Sequence, residues 1–374
     1  MMNLHKSMSS QGIDSYVVWG RGRRAIGNHE YKMTNSFDVA IHALYSRCLD
    51  RAGFASSLAT RKLVKWLRNI QPDVIHLHCI HGYYLNIRIL FDYIREKNIR
   101  VIWTQHDCWA FTGHCAYFDA VKCERWKNGC NSCPQINTYP KAYIDQSKRN
   151  WLNKRKIFSG LNAQIVTPCQ WLKGKVRQSF LGQYPINVIY NGIDLNVFKK
   201  VDCDDVKELL GLSGKKIILG VASEWTERKG MKDFVELDKM INHSKYQILL
   251  VGVTEKQQEN LPRSIRSIQR TENVQELVKI YSMAMVFFNP TYEDNYPTTN
   301  LEAIACETPV ITYKTGGSPE SIKETGCGYI VEKGDLKSSL EKIEEIELNS
   351  ICFERKSVLS MDLMMANYRD LYVS

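Results

Sequence analysis

Short β-branched runs alternate with amphipathic segments from one end of this chain to the other, and this alternation limits the possible folds more than any other feature. A strand, a returning helix and a second strand in the same direction make a parallel sheet with crossover helices. In the first half the expected strands are Ser15–Trp19, Val74–His78, Val101–Thr104, Gln164–Thr167 and Asn187–Tyr190. Helical patterns lie between them at Ser56–Ile70, Asn86–Lys97 and Ile144–Phe158. In the second half the expected strands are Ile217–Val221, Gln247–Val251, Met285–Asn289, Val310–Thr312 and Tyr329–Val331. A polar stretch, Asp194–Ser213, separates the halves and reads as a linker. The expectation is an α/β chain of two Rossmann-like parallel-sheet domains facing a cleft, with ligands held beyond the strand C-termini.

A length of 374 residues and 44% hydrophobic content suffice for two cores, and 24% charge is ordinary for a globular protein. No stretch approaches a membrane span of ~18 apolar residues, and none has the regions of a signal peptide. The expected location is cytoplasmic. Charge divides unevenly: residues 1–195 hold 27 Lys+Arg against 12 Asp+Glu, and residues 196–374 hold 23 against 28. A basic first half suits an anionic membrane or a phosphorylated acceptor, or it simply solubilises the surface. Its bases match no nucleic-acid recognition motif.

Three stretches follow expected strands. The strongest runs Tyr292-Glu293-Asp294-Asn295-Tyr296-Pro297-Thr298-Thr299-Asn300-Leu301-Glu302-Ala303, then Cys306-Glu307-Thr308-Pro309-Val310. Its loop leads into a helix near Thr298, whose free amides can hold an anion, and Glu302 is placed to grip ribose hydroxyls. The second is Leu219-Gly220-Val221-Ala222-Ser223 with Glu227-Arg228-Lys229-Gly230, a strand and a basic turn. The third is Val101-Ile102-Trp103-Thr104-Gln105-His106-Asp107, preceded by His78-Cys79-Ile80-His81 at the end of the strand before it.

The first stretch resembles the E-x7-E signature of the retaining glycosyltransferases of family four, which have the GT-B fold; here it reads D-x7-E, with Gly316-Gly317-Ser318-Pro319-Glu320 continuing the pattern. The resemblance implies a nucleotide-sugar donor, UDP- or GDP-linked, and no catalytic metal. It implies that Glu302 binds ribose, that Asp294 and His106 position the donor sugar, and that Arg228 and Lys229 hold the diphosphate. Asn295, Tyr296 and Thr298 complete the expected donor-binding set. His78 and His81 either meet the acceptor or are structural. Many members space an Arg five residues ahead of the Lys, where this chain has Glu224, so Arg228 supplies the second cation. Asn191-Gly192-Ile193-Asp194 with Phe198 resembles the family's hinge, and Met365–Tyr372 resembles its last helix. The implied domains are 1–190 for the acceptor, 191–355 for the donor, and a returning helix at 356–374.

An insertion from Trp109 to Pro140 carries Cys115, Cys123, Cys130 and Cys133, spaced C-x7-C-x6-C-x2-C. It resembles a capsular and colanic-acid-type subgroup of the family. Without an oxidising compartment the four thiols are expected either to hold one structural zinc or to stand unligated. Asp202-Cys203-Asp204 mimics a D-x-D metal motif but reads as a helix cap. Lys148, Arg149, Lys154, Arg155 and Lys156 around Trp151 suggest a basic helix at a membrane surface. Set against the family's pattern, the first domain is expected either to be truncated, without its N-terminal strand and Gly-rich turn and so with a weakened sheet, or to begin differently.

The expected function is hexosyl transfer from a nucleotide-sugar to a lipid-linked saccharide at the inner face of an anionic membrane, in bacterial surface polysaccharide synthesis. The alternatives are an inactive sugar-nucleotide-binding or scaffolding homologue, or a phosphorylase or epimerase of the same fold.

Overall fold

The computed structural model describes residues 1–22, 27–349 and 354–373. Two compact units divide the chain: unit 1 is residues 1–189 with 367–374, and unit 2 is residues 190–366. Both are built on parallel strands, as the alternating pattern requires.

Unit 1 holds β1 (Val17–Trp19), β2 (Glu30–Lys32), β3 (Val74–Leu77), β4 (Arg100–Thr104), β5 (Ala163–Thr167) and β6 (Ile186–Val188). Among the described residues they form two separate sheets: β1 pairs with β2, and the other four run in the order β3-β4-β5-β6. β2 is absent from the sequence expectation because Glu30-Tyr31-Lys32 lacks an apolar alternation. The larger sheet is buried by its own residues Val101, Ile102, Trp103, Ile165 and Val166. Phe91, from helix Ile87–Glu96, and Phe158 close on the Trp103 ring at 5.5 and 4.8 Å. Aromatic pairs at such spacings add to what their burial contributes.

The end of helix Met361–Val373 belongs to unit 1 from residue 367 onward. The Tyr368 hydroxyl lies 2.9 Å from Thr104 Oγ1, and the Tyr372 hydroxyl lies 2.5 Å from His76 Nδ1. Arg100 donates to the carbonyls of Leu371 and Tyr372, which are among the last of the helix and have no partner within it.

Helix Ser147–Ile157 corrects the expected basic membrane face. Trp151 is buried, its Nε1–H donating to the Trp126 carbonyl at 2.8 Å. Lys154 is buried too, its ammonium donating to the carbonyls of Trp109 and Thr112 and lying 3.4 Å from the Trp109 ring centroid. Burial lowers its pKa to about 7. Both residues serve the insertion, which wraps this helix. A long stem with a paired head can be buried where a free charge cannot.

Unit 2 holds β7 (Lys216–Val221), β8 (Tyr246–Val251), β9 (Arg266–Ile268), β10 (Val286–Asn289), β11 (Val310–Tyr313) and β12 (Gly328–Val331). Their order is β12-β11-β10-β7-β8-β9, all parallel. β9 is too polar to be expected from pattern alone. The core gathers Ile218, Phe234, Ile248, Leu250, Phe288, Ile311 and Ile343. Strands so covered on both faces read as continuous apolar runs, which is why the central ones were legible. The expected linker contains a helix, Asp204–Leu209, and the Asp202 carboxylate accepts the Asp204 amide at its start.

Unit 1 carries imidazoles that burial keeps neutral. His42 is pushed down to about 4 and His76 to about 3. The Gly53 amide donates to His42 Nε2, so His42 Nδ1 carries the proton and donates to Ser56. The unfolded chain takes up these protons near pH 6.5 and the folded chain does not. Stability is therefore complete above that pH and declines as pH falls toward about 4 for His42 and about 3 for His76. Each imidazole contributes up to roughly 1.4 kcal/mol per pH unit. Calorimetry should show a melting temperature falling steadily between pH 6.5 and 4.5, with a shallower fall in His42→Gln.

Candidate functional site

In unit 2 the strand order reverses between β7, the first strand laid down, and β10, the fourth. Crossovers leave the two strands in opposite directions, so their C-terminal loops part and leave a crevice, where ligands of open α/β sheets bind. β7 and β10 pair Ile218 with Val286 and Leu219 with Phe287. That register brings the turn Glu227–Lys229 beside the loop 290–297.

The two segments are tied together. Lys229 Nζ donates to Asp294 Oδ2 at 2.6 Å, and an Arg228 nitrogen lies 3.6 Å from the same oxygen. Arg228 also donates to the Glu293 carbonyl, and the Tyr292 amide donates to the Arg228 carbonyl at 2.8 Å. Two cations thus gather around one carboxylate at the strand ends.

Two glycines make this approach possible. Gly230 has φ +74°, and a Cβ there would stand 2.2 Å from the Pro290 carbonyl oxygen. Gly316 has φ +54°, and a Cβ would stand 1.9 Å from the Asp294 carbonyl oxygen. No other residue combines that backbone with that clearance. The Gly317 amide then donates to the Asp294 carbonyl at 3.0 Å, so the loop after β11 fixes the loop after β10.

Helix Thr298–Ala305 follows, with Pro297 before its first residue. Its first amides have no partner within the helix. Glu302 lies in its second turn and accepts the Tyr281 hydroxyl at 2.8 Å and the Thr298 side chain. Burial raises the Glu302 pKa, and those two bonds oppose the rise. Asn295 is buried, its amide donating to Asp294 Oδ1 at 2.9 Å. Tyr296 is buried with its ring 5.1 Å from that of Tyr190, and Thr298 is exposed. Arg228, Lys229, Asp294, Asn295, Thr298 and Glu302 thus lie along one connected run of unit 2.

In unit 1, His106 follows β4 and His78 follows β3. His106 Nε2 and His78 Nδ1 are 2.9 Å apart with near-parallel rings. Burial lowers both pKa values, that of His78 further with help from His76 and His106, so each is neutral at pH 7. One ring nitrogen donates and the other accepts. His81 stacks on Trp109 and lies 3.2 Å from Asp107. Asp107 stays below the usual carboxylate range although burial acts to raise it, because His81 and the Trp109 amide outweigh that effect. His81, His106, Asp107 and Trp109 line a small cavity with Cys79 and Gln105.

Cys115, Cys123, Cys130 and Cys133 are the cysteines expected to hold a zinc. Among the described residues no three of His, Cys, Asp and Glu converge on a metal position. All four are free thiols. Cys115 is buried and hydrogen-bonded to Cys133, whose pKa that bond lowers to about 7, while Cys130 accepts the Gly113 amide at 3.2 Å. Cys115 and Cys133 thus face each other, and Cys130 faces the backbone.

A buried network behind the helix start escaped the sequence reading. Asn289 ends β10 and donates to Asn300 at 2.7 Å, and Asn300 donates to Ser318 and Ser321. Thr312 Oγ1 and Ser318 Oγ are 2.6 Å apart. A polar residue at a strand end and another on an apolar helix face were the available signals.

Residues 1–197 match the model of Glycosyltransferase Family 4, and residues 204–360 match that of Glycosyl transferases group 1. The chain is 26% identical over 363 residues to an Escherichia coli (strain K12) protein named for colanic acid biosynthesis, glycosyl transferase WcaC, covering 90% of this chain and 84% of that one. It is 27% identical over 165 residues to the capsular polysaccharide biosynthesis glycosyltransferase CapM of Staphylococcus aureus, covering 42% and 43% of the two chains. Among solved structures, sucrose-phosphate synthase from Thermosynechococcus elongatus superposes with a TM-score of 0.69 at 17% identity, over 99% of this chain and 91% of that one. HepE of Anabaena, in complex with UDP-glucose, superposes with a TM-score of 0.64 at 11% identity, over 96% and 98%. The fold is GT-B, with two Rossmann-like parallel-sheet domains.

Asn300 is fully buried, and its removal takes the acceptor from the Asn289 side chain and a donor from Ser318 and Ser321. Asn300→Ala should lower stability by about 2–4 kcal/mol, as urea denaturation would measure. An unchanged midpoint would show that the network contributes nothing.

Proposed function

Because this chain belongs to Glycosyltransferase Family 4, we propose that it transfers a hexosyl group from a nucleotide-sugar to a saccharide hydroxyl with retention of anomeric configuration. The observation that carries this reading is the Lys229–Asp294–Arg228 group at the strand-order reversal of unit 2. Transfer breaks the bond between the anomeric carbon and the diphosphate oxygen, and charge builds on that oxygen. Lys229 and Arg228, already held in place, stabilise it without reorganisation. The free amides at Thr298 add to the same field. Glu302 accepts from ribose hydroxyls, exchanging its bond with Tyr281 for them. Asp294 and neutral His106 orient the sugar hydroxyls. The acceptor oxygen bonds to the anomeric carbon on the face the leaving group vacates, and its proton passes to a diphosphate oxygen. No step calls for a metal.

UDP is the first base to test, since HepE is described in complex with UDP-glucose and shares the fold. The names of WcaC and CapM support an acceptor in surface polysaccharide synthesis. The acceptor proposed is carried on a lipid at the cytoplasmic face of the inner membrane. No helix among the described residues is long and apolar enough to cross a membrane, so the association proposed is peripheral.

Calorimetric titration with UDP and GDP tests the donor site. Lys229→Ala and Glu302→Gln should each weaken the preferred nucleotide about tenfold or more, equivalent to roughly 1.4 kcal/mol. Unchanged affinity in both would remove the assignment.

His106→Ala should leave that affinity unchanged and lower turnover by about a hundredfold, as the loss of a positioning contact implies. Retention is read separately from the anomeric proton coupling of the product.

A further inference from the structure

Positions two apart on a strand share a face, and in unit 1 this places His76 and His78 in one row with Thr104 and His106. His76 lies in β3 and His78 just past its end, while Thr104 ends β4 and His106 stands two positions on. β3 and β4 pair Leu77 with Trp103, so the histidines of one strand stand beside the residues of the other. His76 is held at both nitrogens, Nδ1 2.5 Å from the Tyr372 hydroxyl and Nε2 2.8 Å from Thr104 Oγ1. Its ring backs that of His78, with centroids 4.1 Å apart. His78 in turn brings Nδ1 to 2.9 Å from His106 Nε2, with 20° between the ring planes.

The transfer proposed above uses His106 and gives His78 no part. Three roles are open to such a residue: a contact with the acceptor, a filler of the core, or a support for His106. The atom it commits decides between them. His78 commits Nδ1, the nitrogen nearer the backbone, and its partner is the ring proposed to orient the donor sugar. Both rings are neutral, since burial opposes charge on each. Two neutral imidazoles that meet nitrogen to nitrogen hold one proton between them, so the tautomer of one dictates that of the other.

We propose that His78 is a positioning residue for the transfer, acting through His106: the Nδ1–Nε2 hydrogen bond fixes the plane and the tautomer of the imidazole that meets the donor sugar. The proposal rests on the role given to His106 and adds the group that supports it. The bond narrows the rotation of the His106 ring and selects one tautomer, so the donor meets a group already oriented. The row is anchored at its far end, where Tyr372 and Thr104 hold His76.

Substitutions at His78 separate the three roles, because each amide side chain copies one imidazole nitrogen. The Asn amide tip lies where Nδ1 does, the Gln tip lies where Nε2 does, and Phe keeps the ring without either. Turnover is read as UDP released from UDP-glucose with water as the acceptor. His78→Phe and His78→Gln should lower kcat by on the order of tenfold with KM unchanged, and His78→Asn should recover most of that loss. Added to His106→Ala, His78→Phe should bring no further loss, since the ring through which it acts is gone. Imidazole nitrogen shifts in NMR spectra need no turnover: His106 should show one tautomer in the native chain and an average of two in His78→Phe. Circular dichroism and UDP affinity should match the native chain in every variant at His78. Full turnover in His78→Phe makes the residue a filler, and turnover kept by His78→Gln but lost in His78→Asn makes it an acceptor contact; either result overturns the proposal. So does an additive loss in the double variant, a native His106 that already averages both tautomers, or a tautomer that His78→Phe leaves unchanged. Absent UDP release by the native chain counts against the proposed donor, while the nitrogen shifts still decide the role of His78.

Discussion

The parallel pairing of β7 with β10, Ile218 against Val286 and Leu219 against Phe287, is the constraint on which the candidate site of unit 2 depends. Both strands are buried on both faces, so a slip of one residue would turn every side chain to the wrong face. With the register held, the basic turn after β7 and the acidic loop after β10 have one relative position. Gly230 and Gly316 remove the side chains that would keep the loops apart, and the Asn289–Asn300–Ser318 network locks the helix start behind them. The site is a consequence of strand order, and its charge pair is rigid because the backbone around it is.

Unit 1 uses buried polar groups differently. His76, His78 and His106 follow one another across neighbouring strands, each neutral and each taking part in a hydrogen bond. Neutral imidazoles tolerate burial at modest cost when both nitrogens are satisfied. The Cys-rich insertion has its own anchor. Lys154 reaches from helix Ser147–Ile157 into carbonyls of Trp109 and Thr112, and Trp126 accepts the Trp151 indole proton. A lysine and a tryptophan that look like surface features in a basic helix are the residues that fix this loop. The basic charge left exposed on that helix, at Lys148 and Arg149, adjoins a more apolar surface than its own.

Much of the fold was legible because parallel sheets write long apolar runs. Ten of the strands were expected, and most observed ends differ by one or two residues, as ladder ends commonly do. The two missed strands, Glu30–Lys32 and Arg266–Ile268, are short, polar and at sheet edges, where one side needs no core residues. Helix Ser36–Leu49 turns large apolar side chains outward, which its pattern alone did not say. Amphipathicity records that a helix has two faces and does not record which of them turns inward.

The sequence by itself determined the α/β class, the two parallel-sheet halves and the chemical identity of the residues proposed for the donor site, because strand–turn motifs carry their chemistry in consecutive positions. It determined the family through the same motifs. Only the tertiary structure decided which of these residues touch. Lys229 and Asp294 are 65 positions apart, and their 2.6 Å contact exists because the fourth strand of the second sheet lies beside the first. Tertiary structure also decided that Cys115 turns to Cys133 and Cys130 to the backbone, that Trp151 and Lys154 go inside, and that Phe37, Ile41 and Leu44 stay outside. Each is a choice between faces, and a face is assigned by what packs against it, which no local pattern contains.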